Sequence, residues 1–306
     1  MENLYIGVDV GGTTINIGVV TMEGEIFGKT SLKTTDYIGD NDAMLDAIIT
    51  GILSLTEKLG IDERDIQSIG LGFPGTVDSK KGEVIFAPNL HMKNVQVKQP
   101  LSQAFTCSIY LGQDSRVSAW GEYCIGQKKA VKNMASITIG TGIGCGLIIN
   151  GNIYHGACNT AGEFGHQVID PKGPLCNCGK RGCVETYSGG LAIVRAGAEI
   201  GENLSVKDIY DLALNGNRTA LMITDRVVQS LGIGIVNLVN LLSLELITIS
   251  GGISNAPDEL LLNPLKKYVE EHAYVGIANK VKIVHSALGD NAPLVGAALQ
   301  DKSTEY

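Results

Sequence analysis

The sequence predicts an α/β protein with mixed sheets, and three observations carry that prediction. The chain opens on three consecutive strand-like runs joined by Gly-containing turns, at residues 3–10, 14–21 and 25–33, the pattern of an antiparallel meander. Beyond the meander, strands alternate with helical patterns, as in layered α/β folds. A strand, a Gly-rich turn and a second strand then recur at residues 134–150, which points to two related halves.

The elements follow in order. Residues 41–59 carry apolar side chains at helical spacing, with Gly60 as the stop. A buried strand is expected at 66–72, followed by the turn-rich GFPGTVD, a short helix at 98–105 and a strand at 107–112. Residues 115–126 read as a helix opening on Ser115. In the second half, strands at 134–140 and 145–150 flank the glycine turn, and helices are expected at 184–199, 206–214 and 217–242. A strand at 245–252, a helix at 257–272, a strand at 280–285 and a helix at 291–300 close the chain. The domains expected are 1–115 plus 289–306, a small N-terminal α/β domain, and 116–288, a large one.

Composition bounds the function. With 306 residues, 44% hydrophobic and 18% charged, the chain suits a protein of about two domains at roughly 100–200 residues each. The formal net charge of −8 argues against nucleic acid as a partner, since that binding neutralises phosphates with Lys and Arg. No uninterrupted apolar run approaches the roughly 20 residues of a membrane span. Met1-Glu2-Asn3 runs at once into a strand, leaving no room for a signal peptide or an appended DNA-binding module. A cytoplasmic location and no membrane partner are the expectations.

The glycine turns are the first functional candidates. Gly24–Thr30 (GEIFGKT) looks like a P-loop, but Glu23 stands where its first Gly must fall and the stretch lies inside the meander. The run Asp9-Val10-Gly11-Gly12-Thr13-Thr14 fits better, because paired glycines let backbone N–H groups approach an anion and Asp9 could hold Mg²⁺. The alternative is a plain hairpin turn. The second turn, Gly140-Thr141-Gly142-Ile143-Gly144-Cys145-Gly146, weakens any strand it occupies, and close approach of a phosphate is a natural reason. Two such turns would hold the phosphates of ATP from both sides.

Seven cysteines give no secreted disulfide framework. Cys107, Cys124, Cys145 and Cys158 read as ordinary buried thiols. Cys176, Cys178 and Cys183 lie together in a polar loop with His166 ten residues before Cys176, a Cys₃His set for tetrahedral zinc. Redox chemistry, with Lys180 and Arg181 lowering a thiol pKa, is the rival reading. Glu163 and Glu185 flank the loop and are suited to accept hydrogen bonds from the vicinal hydroxyls of a sugar; the alternative is two solvated carboxylates. Asp114, between a strand and a helix, reads from position alone as a helix N-cap first and a general base second.

In this order the elements resemble the ROK family of bacterial sugar kinases and repressors, over essentially the whole chain. DVGGTT and TIGTGIGCG resemble its phosphate motifs, GFPGTVD and APNL its sugar-cleft segments, AGEFGH with CNCGKRGCVE its zinc signature, and ITISGGIS its adenosine segment. The resemblance implies the ribonuclease-H-like actin/hexokinase fold, two domains closing over a cleft. It implies γ-phosphoryl transfer from ATP to a hexose hydroxyl, usually the 6-OH, with Asp114 as base. Asn89, Glu163, His166 and Glu185, with Gln113 and Asp114, would hold the sugar. Asp9, Gly11, Gly12, Thr13, Thr14, Gly140, Thr141, Gly142, Gly251 and Gly252 would serve ATP and Mg²⁺. His166, Cys176, Cys178 and Cys183 would bind structural zinc, His166 using its other ring nitrogen for the sugar.

The chain departs from the glucose-kinase pattern Glu-Asn-Asp-Ala-Asn at Gly112-Gln113-Asp114-Ser115-Arg116. Allose kinases of the family also depart at the Asn position, so an epimer or an N-acylhexosamine competes with glucose. The reading from another class is a non-catalytic sugar-sensing regulator. A homo-oligomer, dimer or tetramer, is what the family implies.

Overall fold

The computed structural model describes residues 3–300. In chain order its strands and helices are β1 (Leu4–Val10), β2 (Thr14–Thr21), β3 (Ile26–Lys33), α1 (Asn41–Leu59), β4 (Ile66–Phe73), β5 (Thr76–Asp78), β6 (Glu83–Ala87), β7 (Met92–Gln96), α2 (Lys98–Ala104), β8 (Ser108–Gln113) and α3 (Asp114–Gly121). They continue with β9 (Met134–Ile139), β10 (Ile143–Ile149), β11 (Asn152–Ile153), α4 (Glu185–Ser188), α5 (Gly190–Gly197), α6 (Val206–Leu214), α7 (Arg218–Leu242), β12 (Leu246–Ser250), α8 (Leu262–His272), β13 (Lys282–His285) and α9 (Ala292–Ala298).

Two compact units emerge. The first takes the chain up to Ala130, Gly146–Ala161 and the chain from Asp290; the second takes Val131–Cys145 and Gly162–Gly289. Residues 116–130, assigned from the sequence to the large domain, cluster with the first unit because α3 packs on α9. Residues 146–161 cluster there too.

In the first unit β1, β2 and β3 form the expected antiparallel meander, and β4 and β8 add parallel strands to give the order β3-β2-β1-β4-β8. The order β11-β10-β9-β12-β13 repeats that scheme, with β9, β12 and β13 parallel. β1 is buried along nearly its whole length, whereas β3 alternates between half-buried and exposed residues as an edge strand does. Ile6, Val8, Ile17, Ile48, Ile52, Leu71 and Phe73 belong to one continuous core. Truncating one such side chain to Ala costs about 2–5 kcal/mol.

Local chemistry sets the ends. Asp40 caps α1 by accepting the Ala43 N–H at 3.0 Å, and Gly60 ends it in the left-handed region at φ 68°. Ser205 and Asp208 form a capping box on α6. α9 lies against β1, β4 and α3 so closely that a Cβ at Gly7 would overlap the Leu294 carbonyl oxygen, and one at Gly70 that of Ala297. A Cβ at Gly296 would likewise overlap the carbonyl of Val117. Backbone-to-backbone packing therefore fixes α3, the helix that opens on Asp114.

Several boundaries differ from expectation. The helix expected from Ser115 starts at Asp114, because Gln113 caps it, and its last part, Glu122–Gly126, is a π-helix. The helix expected over 184–199 breaks at Gly189 (ψ 154°), where the backbone meets the Gly140–Thr141 turn: Gly190 N–H donates to the Gly140 carbonyl at 2.8 Å. The helix expected from 257 starts at Leu262. The stretch that looks only turn-rich in sequence holds a three-stranded sheet of β5, β6 and β7. Among the described residues α7 alone is long and apolar enough to cross a membrane by length and composition, yet 61% of the qualifying window is buried, which suits a core helix.

Candidate active site

In the first unit the chemistry gathers at the carboxyl ends of parallel strands, where open α/β sheets bind ligands. Asp9, one residue before the end of β1, lies opposite Gly72 of β4, and Gly72 lies opposite Gly112 of β8, two residues before Asp114. Asn16, paired with Asp9 across the meander, donates from Nδ2 to Oδ2 at 3.3 Å and accepts from Ser31 at 2.9 Å. Burial pushes the Asp9 carboxyl up, and the Asn16 bond opposes this. A largely desolvated carboxylate that takes its hydrogen bond from a neutral amide suits a divalent cation such as Mg²⁺.

The Gly11–Gly12 turn is braced by a residue the sequence did not single out. Thr34, fully buried, donates from Oγ1 to the Gly11 carbonyl at 2.8 Å and from its N–H to the Thr13 carbonyl at 3.0 Å. Gly11 N–H is used by the Thr14 carbonyl at 2.9 Å, while a Cβ at Gly12 would meet open space. Gly12 and Thr13 are exposed, so the tip of the turn is open to an anion. A Thr just after a strand carries no sequence signal for such a bracing role.

Asp114 is half-buried at the first turn of α3. Its Oδ1 accepts from Ser115 N–H at 2.6 Å, from Ser115 Oγ at 3.1 Å and from Gln113 Nε2 at 2.5 Å. Desolvation raises its pKa to about 6, the charge of Asp9 adding to the rise while the Ser115 donors and Arg116 oppose it. The other end of the Gln113 amide accepts the Arg116 N–H at 3.0 Å. Gln113, not Asp114, is thus the helix cap, and Asp114 is left for chemistry. Arg116 is 3% exposed and donates to the Asn159 carbonyl and Oδ1 at 2.9 and 3.0 Å, while Asn159 Nδ2 donates to the Val77 carbonyl. Asn89 sits exposed on the short turn Pro88–Leu90 between β6 and β7.

The second unit holds the cysteine cluster. The ligand atoms of His166, Cys176, Cys178 and Cys183 all lie within 4.8 Å of one another. Cys178 and Cys183 sulfurs are 3.7 Å apart, and Cys176 Sγ lies 3.6 Å from His166 Nδ1. Zinc bonds of about 2.3 Å to sulfur and about 2.0–2.1 Å to nitrogen, set tetrahedrally, place S···S near 3.8 Å and S···N near 3.6 Å. The donor set therefore fits zinc, and the sulfurs are too far apart for a disulfide. The loop is shaped by Gly179 (φ 84°) and Gly182 (φ 68°), where a Cβ at Gly182 would overlap the Asp170 carbonyl. With Nδ1 facing the thiols, the other nitrogen of His166 is left for a different partner.

Glu185 opens α4 and accepts the Ile143 N–H through Oε2 at 2.8 Å. A Cβ at Gly142 would overlap that same oxygen, and one at Gly146 would overlap Ala119 Cβ. These two glycines make room for protein, whereas a Cβ at Gly140 would meet open space. The phosphate reading of the second turn therefore narrows to Gly140 and Thr141. Gly251 (φ 85°) and Gly252 follow β12, whose Ser250 pairs with Thr138 of β9, so both glycine turns sit at the same end of two parallel strands. Glu163 is exposed just before the turn carrying His166. Of the four scattered cysteines only Cys145 is buried, its thiol pushed up to about 12 by burial and by Glu163; Cys158 is exposed and Cys107 and Cys124 are intermediate.

Comparison with known proteins follows the same lines. The model of the ROK family matches residues 5–302. A glucokinase of Halalkalibacterium halodurans is 34% identical over 99% of this chain and 96% of that protein. A ROK family glucokinase from Streptomyces griseus, solved in complex with glucose and AMPPNP, superposes with a TM-score of 0.80 at 31% identity, covering 98% of this chain and 99% of that one. The xylose repressor of Bacillus subtilis is 29% identical over 95% of this chain and 75% of its own length.

Proposed function

Because the chain belongs to the ROK family and has the actin/hexokinase-type fold of its solved members, we propose that it is an ATP-dependent hexose kinase. It transfers the γ-phosphoryl group to a sugar hydroxyl, the 6-OH of glucose or a close epimer. The observation that carries this reading is Asp114: a carboxylate at the carboxyl end of β8, with a pKa raised to about 6 and one oxygen held by three donors. A base near neutrality suits abstraction of a hydroxyl proton at physiological pH.

Phosphoryl transfer asks a protein for positioning and charge neutralisation. Asp114 takes the proton as the hydroxyl attacks, and Gln113 and Ser115 hold its Oδ1 so that Oδ2 can point to the substrate. The Gly12–Thr13 tip and the Gly140–Thr141 turn donate to ATP phosphates, with Gly251 and Gly252 next to the adenosine. Asp9 would hold Mg²⁺, which supplies neutralisation of the phosphate charge. Glu163, Glu185, Asn89 and the second nitrogen of His166 take ring hydroxyls. Zinc on His166, Cys176, Cys178 and Cys183 would fix the orientation of that imidazole. The family's dimers or tetramers and a cytoplasmic location go with this reading.

The repressor relative motivates the second reading, a sugar-sensing regulator without turnover. A coupled ADP-release assay over glucose, allose, mannose, fructose and N-acetylated hexosamines separates the two. Sugar-dependent release with at least one hexose supports the kinase. Sugar binding without release for any of them would leave only the sensor.

A further inference from the structure

The first unit contains a cavity of about 300 Å³ lined in part by five consecutive residues, Ile109 to Gln113. Successive strand residues point to opposite faces, so a space that touches all five runs along an edge of β8. β8 is the last strand of its sheet, and such an edge carries outward backbone N–H groups that seek acceptors.

The charged side chains around this edge, those of Lys80, Lys98 and Arg116, have one sign. Lys80 from the turn after β5, Lys98 from α2, Arg116 from α3 and His155 from the segment after β11 all line the cavity. No Asp or Glu lines it among the described residues, although the chain has 32 acidic against 24 basic residues. The adjoining cavity of about 460 Å³ shares Lys80 and His155 but includes Asp78, so the one-sided charge belongs to the first alone. Arg116 adds positive charge to the wall from its place on Asn159, and the exposed ammonium groups of Lys80 and Lys98 supply the donors for an anion.

We propose that this cavity binds a small phosphate-bearing anion, at a place distinct from the Gly11–Gly12 turn. Its volume lies at the lower end of the roughly 300–1,000 Å³ of small-ligand sites, enough for orthophosphate or for a phosphorylated sugar. The site does not depend on the kinase reading.

Calorimetric titration of the full chain with inorganic phosphate, and separately with glucose 6-phosphate, tests it at constant ionic strength without nucleotide. The comparison is with the double variant Lys80→Met, Lys98→Met; both lysines are exposed, so the thermal midpoint should not move. The expected result is saturable binding of at least one probe, weakened about tenfold or more in the double variant. Equal affinity for the two probes identifies the phosphoryl group alone as the ligand; tighter glucose 6-phosphate identifies the phosphorylated sugar. No saturable binding of either probe, or affinity unchanged in the double variant, overturns the proposal, the latter placing the anion at the Gly11–Gly12 turn.

Discussion

Gln113 spends both ends of its amide within one turn of Asp114: Nε2 donates to the Asp114 carboxylate at 2.5 Å and Oε1 accepts the Arg116 N–H at 3.0 Å. The amide is a positioning group for the base and the cap of α3. Gln113→Ala should lower kcat about tenfold while changing the sugar KM less, and cost about 1 kcal/mol of stability from the lost cap. A variant that raises KM alone would return Gln113 to direct sugar contact.

The pH dependence follows from Asp114. Its folded pKa is raised to about 6 from 3.8, and a base must be ionised, so kcat/KM should rise with pH through about 6. The stability effect has the opposite sign. Between the unfolded and folded values the native state binds the extra proton, so this group's contribution is lost as pH rises from about 4 through 6. Asp114→Asn should therefore unfold at least as high as the parent at pH 7, and paired pH–activity and pH–melting curves check both signs.

Zinc should copurify at about one ion per chain, measured by plasma emission on protein purified without added metal. Cys178→Ser should lose it and melt several degrees lower, at about 2–4 °C for each kcal/mol. Sugar affinity should fall with the metal if His166 serves both, as proposed. Metal-free protein with unchanged melting and sugar affinity would contradict the zinc assignment.

Gly142 separates two readings of the second glycine turn. Its missing Cβ leaves room for Glu185 Oε2, so Gly142→Ala should push that carboxylate aside. The expected outcome is a sugar KM raised about tenfold or more with the ATP KM little changed. A selective rise in the ATP KM would restore Gly142 to the phosphate cradle.

Arg116 is committed to Asn159 rather than turned to solvent. Arg116→Met should cost about 1–3 kcal/mol by leaving the half-buried Asn159 acceptors without the guanidinium, measured by urea unfolding. The rank order of kcat/KM among hexoses should survive it; a reordered preference would make Arg116 a specificity residue after all.

How much of this was legible in the sequence depends on the range of the signal. The helical spacing of 41–59 and the Gly60 stop of α1 are local, and the structure has both where the pattern put them; the Asp40 cap is found in the structure alone. The metal-like loop was legible because Cys176, Cys178 and Cys183 are close in sequence. β5, β6 and β7 were not, since strands of three to five residues beside Gly75 and Gly82 look like turns. Thr34 under the Gly11 turn and Glu185 against Gly142 are long-range contacts with no local pattern. Gly142 and Gly146 also show that a run of glycines can be a record of close packing as much as of a ligand.

The central claim is that Asp114 is the base of a sugar kinase, and Asp114→Asn tests it most directly. Hexose-dependent ADP release should fall about 10²–10⁴-fold in the variant, while calorimetry shows the same hexose still bound within a few-fold. Turnover within about tenfold of the parent, in a folded variant that binds the sugar, would contradict the account.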